Sequence, residues 1–156
     1  MALRLSMRRL ALMPFVVKAE GAMSVTCKYT SGKHAQFTDE PAKLGGQDKG
    51  PNPLETSLGA LCGCLHVLSV GVANEMKMKF DKIDWTAKGE LDVKGLKGDP
   101  NVQSHFQKVT VEGKIATNES DDRIHELLEK VERRCPLSSL MANVNGMEYV
   151  ATMTKA

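Results

Sequence analysis

A run without formal charge, from Leu58 to Ala73, constrains the fold of this chain most strongly. A helix start is predicted shortly before this run, because Asn52 is a good N-cap and Pro53, which follows it, suits the first helical position. Because this helix would be apolar nearly all round, we expect it to be buried on most sides. Apolar side chains recur through it at the helical spacing of three and four, namely Leu54, Leu58, Leu61, Leu65, Leu68, Val72 and Met76.

Three glycines, Gly59, Gly63 and Gly71, lie inside this predicted helix. Each costs about 1 kcal/mol relative to alanine in a helix interior. Close approach of a neighbouring helix is the natural reason to accept that cost. We therefore expect a second helix to pack against the glycines.

The remaining elements indicate an α+β domain over residues 16–156. Before the long helix, Gly21 and Ser31-Gly32 separate short strand-like runs, which predicts an antiparallel meander followed by a glycine-rich loop at residues 39–51. After the helix, we expect strands at about 83–93 and 106–117, a helix from Ser120 to Arg134, a short helix from Pro136, and a last strand at about 148–154.

The composition excludes several classes of protein. Lys plus Arg is 21 and Asp plus Glu is 19, so the net charge of +2 gives no reason to expect a nucleic-acid partner. Aromatic residues are only 4%, which argues against base-stacking surfaces. We also expect no membrane partner, because no uninterrupted apolar run approaches the length of a span.

The first residues leave three interpretations open. Residues 1–19 contain Arg4, Arg8 and Arg9 and no acid, as a mitochondrial presequence would, although Ser6 is the only serine there. The alternatives are a structural N-terminal arm at residues 1–15 or a start at Met23. We expect a cytoplasmic protein, or a mitochondrial one if residues 1–22 are a presequence.

Four cysteines are too few for a disulfide scaffold, so we expect free or redox-active thiols in a reducing compartment. Cys62 and Cys64 point about 200° apart on a helix, so they cannot serve one site. Cys135 precedes Pro136 at a predicted helix start, where free backbone N–H groups favour a thiolate. The plain alternative is that all four cysteines are small buried hydrophobes.

Two segments carry a resemblance to a known family. The first is His34-x-x-x-x-Asp39-Glu40-Pro41, then Gly45-Gly46-x-Asp48-x-Gly50-Pro51-Asn52-Pro53 and a run to Cys64; the second is Arg134-Cys135-Pro136-Leu137-Ser138. Together they resemble the OsmC/Ohr family of osmotically inducible and organic hydroperoxide resistance proteins. The resemblance covers roughly residues 16–156.

This resemblance implies a thiol peroxidase that needs no bound cofactor. A Cys64 thiolate would attack an organic hydroperoxide, or hydrogen peroxide more weakly, and become a sulfenic acid. Cys135 would condense with it to a disulfide, and an external dithiol, lipoyl-type in parts of the family, would reduce the pair. The family fold implies an α+β, intertwined homodimer with long buried central helices, antiparallel sheets around them and active sites between subunits.

The sequence departs from the hydroperoxide-resistance branch in its charged site residues. That branch places a glutamate directly after its Asn-Pro, where this chain has Leu54 followed by Glu55. We expect Glu55 to act in the site, or else to be a plain first-turn acid. The loop arginine of that branch is missing, which leaves as candidate cations Lys33, Lys43, Lys49, Arg133 and Arg134, although a lysine does not replace a guanidinium fork.

Two other functions remain open from the sequence. The missing arginine also fits a binding protein that holds a small apolar ligand or a sulfur species and has little or no peroxidase activity. A metal site made by Cys62, Cys64 and His66 is disfavoured, because a helix scatters those side chains. We therefore expect no metal.

Overall fold

The structure is a computed structural model that describes residues 12–156. The chain divides into two compact units, one ending at Pro53 and one beginning at Leu54. Most of the predicted N-terminal arm, residues 1–11, lies outside the described residues.

The first unit contains an antiparallel three-stranded sheet. Its strands are β1 (Lys18–Glu20), β2 (Cys27–Ser31) and β3 (His34–Thr38), in the order β1-β2-β3. The predicted meander is therefore confirmed. Gly32 occupies the turn between β2 and β3 with φ 56°, a backbone conformation that costs glycine little.

A buried carboxylate organises the loop that follows β3. Asp39 has no exposed surface, and its side chain accepts hydrogen bonds of 2.9–3.1 Å from the amides of Glu40, Gln47 and Lys49 and from the hydroxyl of Thr26. Burial raises the pKa of Asp39, but these hydrogen bonds outweigh it and leave the pKa below its usual value. The loop is consequently tied to a charged aspartate at neutral pH.

The second unit packs helices on a mixed sheet. Its elements in chain order are α1 (Pro53–Glu75), β4 (Lys82–Glu90), α2 (Val93–Leu96), β5 (Lys108–Ala116), α3 (Asp121–Arg134), α4 (Pro136–Ala142) and β6 (Glu148–Lys155). The sheet order is β4-β5-β6, with β4 and β5 antiparallel and β5 and β6 parallel. The parallel pair is possible because α3 and α4 provide the crossover between β5 and β6.

The boundary between α3 and α4 follows from its residues. Ser120 caps α3 through a hydrogen bond from the amide of Arg123. Cys135 leaves the helical region, with φ −78° and ψ 113°, as expected for a residue before proline. Pro136 then begins α4. This boundary places a cysteine between two helices, as the sequence predicts.

The core of the second unit lies between one face of the sheet and the helices. Val109, Val111 and Ile115 of β5 are almost completely buried, as are Ile124 and Leu127 of α3. This hydrophobic cluster also includes residues of α1. Alternate residues of β5 are buried, which is the pattern of a strand with one face on the core.

Helix α1 is buried on one side only within a single chain. Leu61, Leu65 and Val72 are buried, whereas Val67 is 70% exposed. A Cβ atom added at Gly59, Gly63 or Gly71 would meet nothing within 4 Å. The expectations of burial on most sides and of a helix against the glycines are therefore not met within one copy, because no helix or strand of the second unit covers this face.

Helix α1 is also long and apolar enough to cross a membrane by length and composition, with a mean hydropathy of 1.6 in its most apolar window. The sequence expectation that no run approaches this length was wrong, because uncharged polar residues such as Ser69 do not interrupt the run. A core helix passes the same test, and α1 contributes Leu61, Leu65 and Val72 to the core. The length of α1 is thus weak evidence for a membrane span.

Candidate functional site

The structure brings Cys64 and Cys135 together. Their Sγ atoms lie 3.2 Å apart, with the Cys135 thiol donating to the sulfur of Cys64. Both are free thiols. An approach of roughly 1.2 Å would reach the disulfide bond length of about 2.05 Å. The fold thus decides a point that the sequence left open, namely whether residues 71 positions apart are within reach of each other.

Two different elements position the two sulfurs. Cys64 lies in the middle of α1 and is half-buried, whereas Cys135 is the N-cap of α4 and is only 1% exposed. The Cys135 sulfur accepts a hydrogen bond of 3.4 Å from the amide of Ser138. The amide of Leu137 hydrogen-bonds to the sulfur of Cys64. Consecutive backbone N–H groups of α4 therefore contact the two sulfurs of the pair.

The surroundings of Cys64 favour its protonated form. Burial raises the pKa of the Cys64 thiol, and the neighbouring sulfur of Cys135 raises it further, because two thiolates so close together would repel each other. The Leu137 amide acts in the opposite direction. No cation is among the groups that shift this pKa within residues 12–156.

A hydrogen bond behind Cys135 was not predicted from the sequence. The hydroxyls of Ser138 and Tyr149 lie 2.9 Å apart. Ser138 is 3% exposed, and burial is the main cause that raises the pKa of Tyr149 to about 12. Ser138 belongs to the Cys-Pro segment that the sequence points to, but nothing in the strand pattern marks Tyr149, which only the packing of β6 brings to α4.

Cys62 occupies a separate environment on α1. It is half-buried, and burial raises the pKa of its thiol. Cys62 and Cys64 are both free, and each packs against the core. Among the residues that the structure describes, no cluster of three or more His, Cys, Asp or Glu side chains could hold a metal ion.

Glu55 is not beside Cys64 in the same chain. It is an exposed residue in the first turn of α1. Glu55 and Cys64 are nine positions apart, which corresponds to about 13.5 Å along the helix axis and to two and a half turns. The two side chains therefore lie on opposite sides of α1. A role for Glu55 at the thiols stays a prediction.

The candidate cations beside Cys135 do not contact the thiols. One guanidinium nitrogen of Arg134, Nη1, donates to both carboxylate oxygens of Glu75, at 2.8 and 2.9 Å. The Arg133 side chain is exposed and makes no hydrogen bond or ion pair within the described part of the chain. The other candidates, Lys33, Lys43 and Lys49, lie in the first unit.

The sequence matches a family model over residues 46–148, and the description of that model is OsmC-like protein. The chain belongs to the OsmC-like family. The match includes both Cys64 and Cys135, so the resemblance noted in the sequence is confirmed. No curated protein sequence matches this OsmC-like chain.

Solved structures of OsmC-like proteins share the fold. An OsmC-like protein from Mycoplasma pneumoniae has a TM-score of 0.81 and 16% identity, with 92% of this chain and 98% of that one covered. An organic hydroperoxide resistance protein OsmC from Legionella pneumophila has a TM-score of 0.68 and 21% identity, covering 93% and 99%. An organic hydroperoxide resistance protein from Elizabethkingia anophelis has a TM-score of 0.67 and 19% identity, with 93% of this chain and 98% of that one covered. At these identities the likeness establishes the fold.

Proposed function

We propose that this OsmC-like protein is a thiol peroxidase that reduces organic hydroperoxides, and hydrogen peroxide more weakly, to alcohols or water. The observation that carries the proposal is the 3.2 Å separation of the Cys64 and Cys135 sulfurs in a chain of this family. Two proteins of the same fold are organic hydroperoxide resistance proteins. A pair of thiols at this distance is suited to a cycle of oxidation and disulfide formation.

In the oxidative steps, Cys64 is the nucleophile and Cys135 resolves. The Cys64 sulfur attacks the distal oxygen of the hydroperoxide and the O–O bond breaks, which yields an alcohol and a Cys64 sulfenic acid. The Cys135 sulfur then attacks that sulfenic sulfur, and the departing hydroxide takes up the thiol proton as water. Each peroxide thus takes two electrons from the two thiols, which become a disulfide, and an external dithiol such as a lipoyl-type compound restores both thiols.

Exposure supports this assignment of the two cysteines. Cys64 is half-buried, so a peroxide can approach its sulfur, whereas Cys135 has 1% of its surface exposed. A resolving thiol needs access only to its partner. The part of α1 from Leu58 to Ala73, which contains Cys64, has no formal charge, and this suits an organic peroxide better than a charged substrate.

The open face of α1 supports a homodimer with α1 helices at its centre. Gly59, Gly63 and Val67 follow each other at intervals of four residues, so they lie on one side of α1, and all three are exposed. Glycine at two of these positions would allow a second helix to approach closely. Val70, also on α1, is 42% exposed and adds apolar surface that a partner would bury.

The direct test compares two cysteines on the same helix. Cys64→Ser is expected to abolish the consumption of cumene hydroperoxide in the presence of dithiothreitol, because no nucleophile remains. Cys62→Ser is the matched control, two residues away and also half-buried, and is expected to retain turnover. Loss of activity in the Cys62 variant together with its retention in the Cys64 variant would refute the assignment.

A second candidate function is supported by the protonation of Cys64. Burial raises the pKa of this thiol and no cation in the described residues opposes the shift, which favours a weakly active or inactive protein that binds a small apolar ligand or a sulfur species. Mass spectrometry under non-reducing conditions separates the two functions. One equivalent of cumene hydroperoxide should remove two thiols and yield a linked Cys64–Cys135 peptide; an intact Cys64 with a ligand that co-purifies would favour the binding protein.

A further inference from the structure

The two sulfurs of the pair differ in what can reach them. Cys64 is half-buried and Cys135 is 1% exposed. In thiol–disulfide exchange the incoming thiolate bonds to one sulfur while the other leaves with the bonding electrons. A reductant that approaches from solvent therefore meets Cys64, and Cys135 is the sulfur that leaves.

The departing sulfur of Cys135 would carry a negative charge, and a hydrogen-bond donor already contacts it. The amide of Ser138 lies 3.4 Å from the Cys135 sulfur. Hydrogen bonds to charged acceptors are stronger than those between neutral groups. This amide is therefore in a position to stabilise Cys135 as a leaving group.

A chain of contacts holds Ser138 to the sheet. Its hydroxyl lies 2.9 Å from that of Tyr149, and Tyr149 is paired with the buried Val109 near the start of β5. Since the pKa of Tyr149 is raised to about 12, mainly by burial, its hydroxyl stays uncharged and available for this bond at neutral pH. Helix α4 has only seven residues, so such an anchor matters for where its first amides point.

We propose that Cys135 is the leaving sulfur when a dithiol reduces the Cys64–Cys135 disulfide, and that Ser138 and Tyr149 are positioning residues that keep an amide donor on that sulfur. The reductant thiolate bonds to Cys64, the bond between the cysteines breaks, and Cys135 leaves as a thiolate that takes up a proton. The second thiol of the reductant then displaces Cys64, so the reductant becomes a disulfide and both cysteines become thiols. The inference deepens the proposed peroxidase and rests on its disulfide.

The test makes the disulfide with diamide, which takes two electrons and two protons from the thiols, so it does not depend on peroxidase activity. The rate of reduction by dithiothreitol is then measured by quenching samples with acid at timed intervals and counting thiols by mass spectrometry. Tyr149→Phe and Ser138→Ala are each expected to slow reduction by about three- to tenfold, the effect of one hydrogen bond. The double variant is expected to be no slower than the slower single variant, because both remove the same contact.

Matched controls separate positioning from general damage to the fold. Tyr29→Phe removes another hydrogen-bonded tyrosine hydroxyl, the one that contacts Gln36 in the first unit, and Ser139→Ala alters the exposed neighbour of Ser138. Both controls are expected to be reduced at the rate of the unaltered protein. A lower melting temperature for Tyr149→Phe with an unchanged rate of reduction would assign a merely structural role and overturn the proposal.

The site of attack is tested with a monothiol. Brief treatment of the diamide-oxidised protein with glutathione, followed by quenching, alkylation and peptide mapping, is expected to place glutathione on Cys64 and the alkyl group on Cys135. Glutathione on Cys135 would overturn the proposal, and so would a failure of diamide to form the disulfide. The proposed peroxidase can fail separately. If diamide forms the disulfide and the Tyr149 and Ser138 variants are reduced more slowly, but the protein does not turn over peroxide, only the peroxidase function is refuted.

Discussion

At the scale of single residues, the protonation of Cys64 depends on burial and on one neighbouring sulfur. Burial and Cys135 raise its pKa, and the Leu137 amide is the group that lowers it. The reactive form is the thiolate, so a raised pKa moves reactivity toward alkaline pH. An activated thiol usually has a cation nearby that lowers its pKa. Within residues 12–156, no cation is among the groups that shift the pKa of Cys64.

The pH dependence of Cys64 alkylation follows from this shift. The rate with iodoacetamide, mapped by mass spectrometry, is expected to rise with pH with a midpoint above the ordinary value of 9.0. Cys135→Ser is expected to lower the midpoint, because the repulsion between two sulfurs is lost while burial remains. A rate that is already constant above pH 7 would contradict the prediction and indicate a cation supplied from outside the described residues.

At the scale of elements, α3 holds the end of α1 through arginines. Arg123 donates to the carbonyl of Met76 at 2.8 Å, just beyond the last turn of α1, and also contacts the carboxylates of Glu119 and Glu126. A helix end leaves backbone carbonyls without partners inside the helix, so this contact caps α1. The end of α1 that follows Cys64 is thereby fixed to the core.

Arg123→Ala should destabilise the second unit through the loss of this cap. We expect the free energy of unfolding to fall by about 1–2 kcal/mol, the range for a hydrogen bond from a charged donor that is partly exposed. Urea unfolding followed by circular dichroism measures the change. Arg133→Ala removes an exposed arginine of the same helix without such contacts and is expected to change stability by less than about 0.5 kcal/mol. Equal losses in both variants would argue against the cap.

At the scale of the whole molecule, the proposed homodimer rests on the open face of α1. Val67 is 70% exposed, and Gly59 and Gly63 have open space where a side chain would project. An apolar helix face of this length is costly to leave in water. In the proposed homodimer, the same face of a second copy would cover this surface.

Gly63→Leu should disrupt the proposed homodimer. A leucine at this position keeps the two helices apart, so light scattering after size exclusion is expected to show a dimer for the unaltered protein and a monomer for the variant. His125→Leu adds the same side chain at an exposed position of α3 and should remain a dimer. A monomer for the unaltered protein would contradict the dimer directly.

Much of the fold was predictable because its signals are local. Ser120, Pro136 and the residues around Asn52-Pro53 mark helix boundaries through caps and proline geometry, and the structure confirms α1, α3 and α4 within a few residues. The strand predicted at 83–93 ends instead at Glu90, where Asp92 caps the unpredicted helix α2. Such a short helix has too few residues for a periodic pattern to indicate it.

The sequence by itself determined the α+β class, the long apolar helix and the two cysteine segments, because caps, period and motif spacing act over a few neighbouring residues. Only the tertiary structure decided that Cys64 and Cys135 meet, that Tyr149 reaches Ser138, and that Arg134 binds Glu75 rather than a thiol. These contacts join residues far apart in the chain. They depend on how α1, α3, α4 and β6 pack, and local sequence patterns carry no information about that packing.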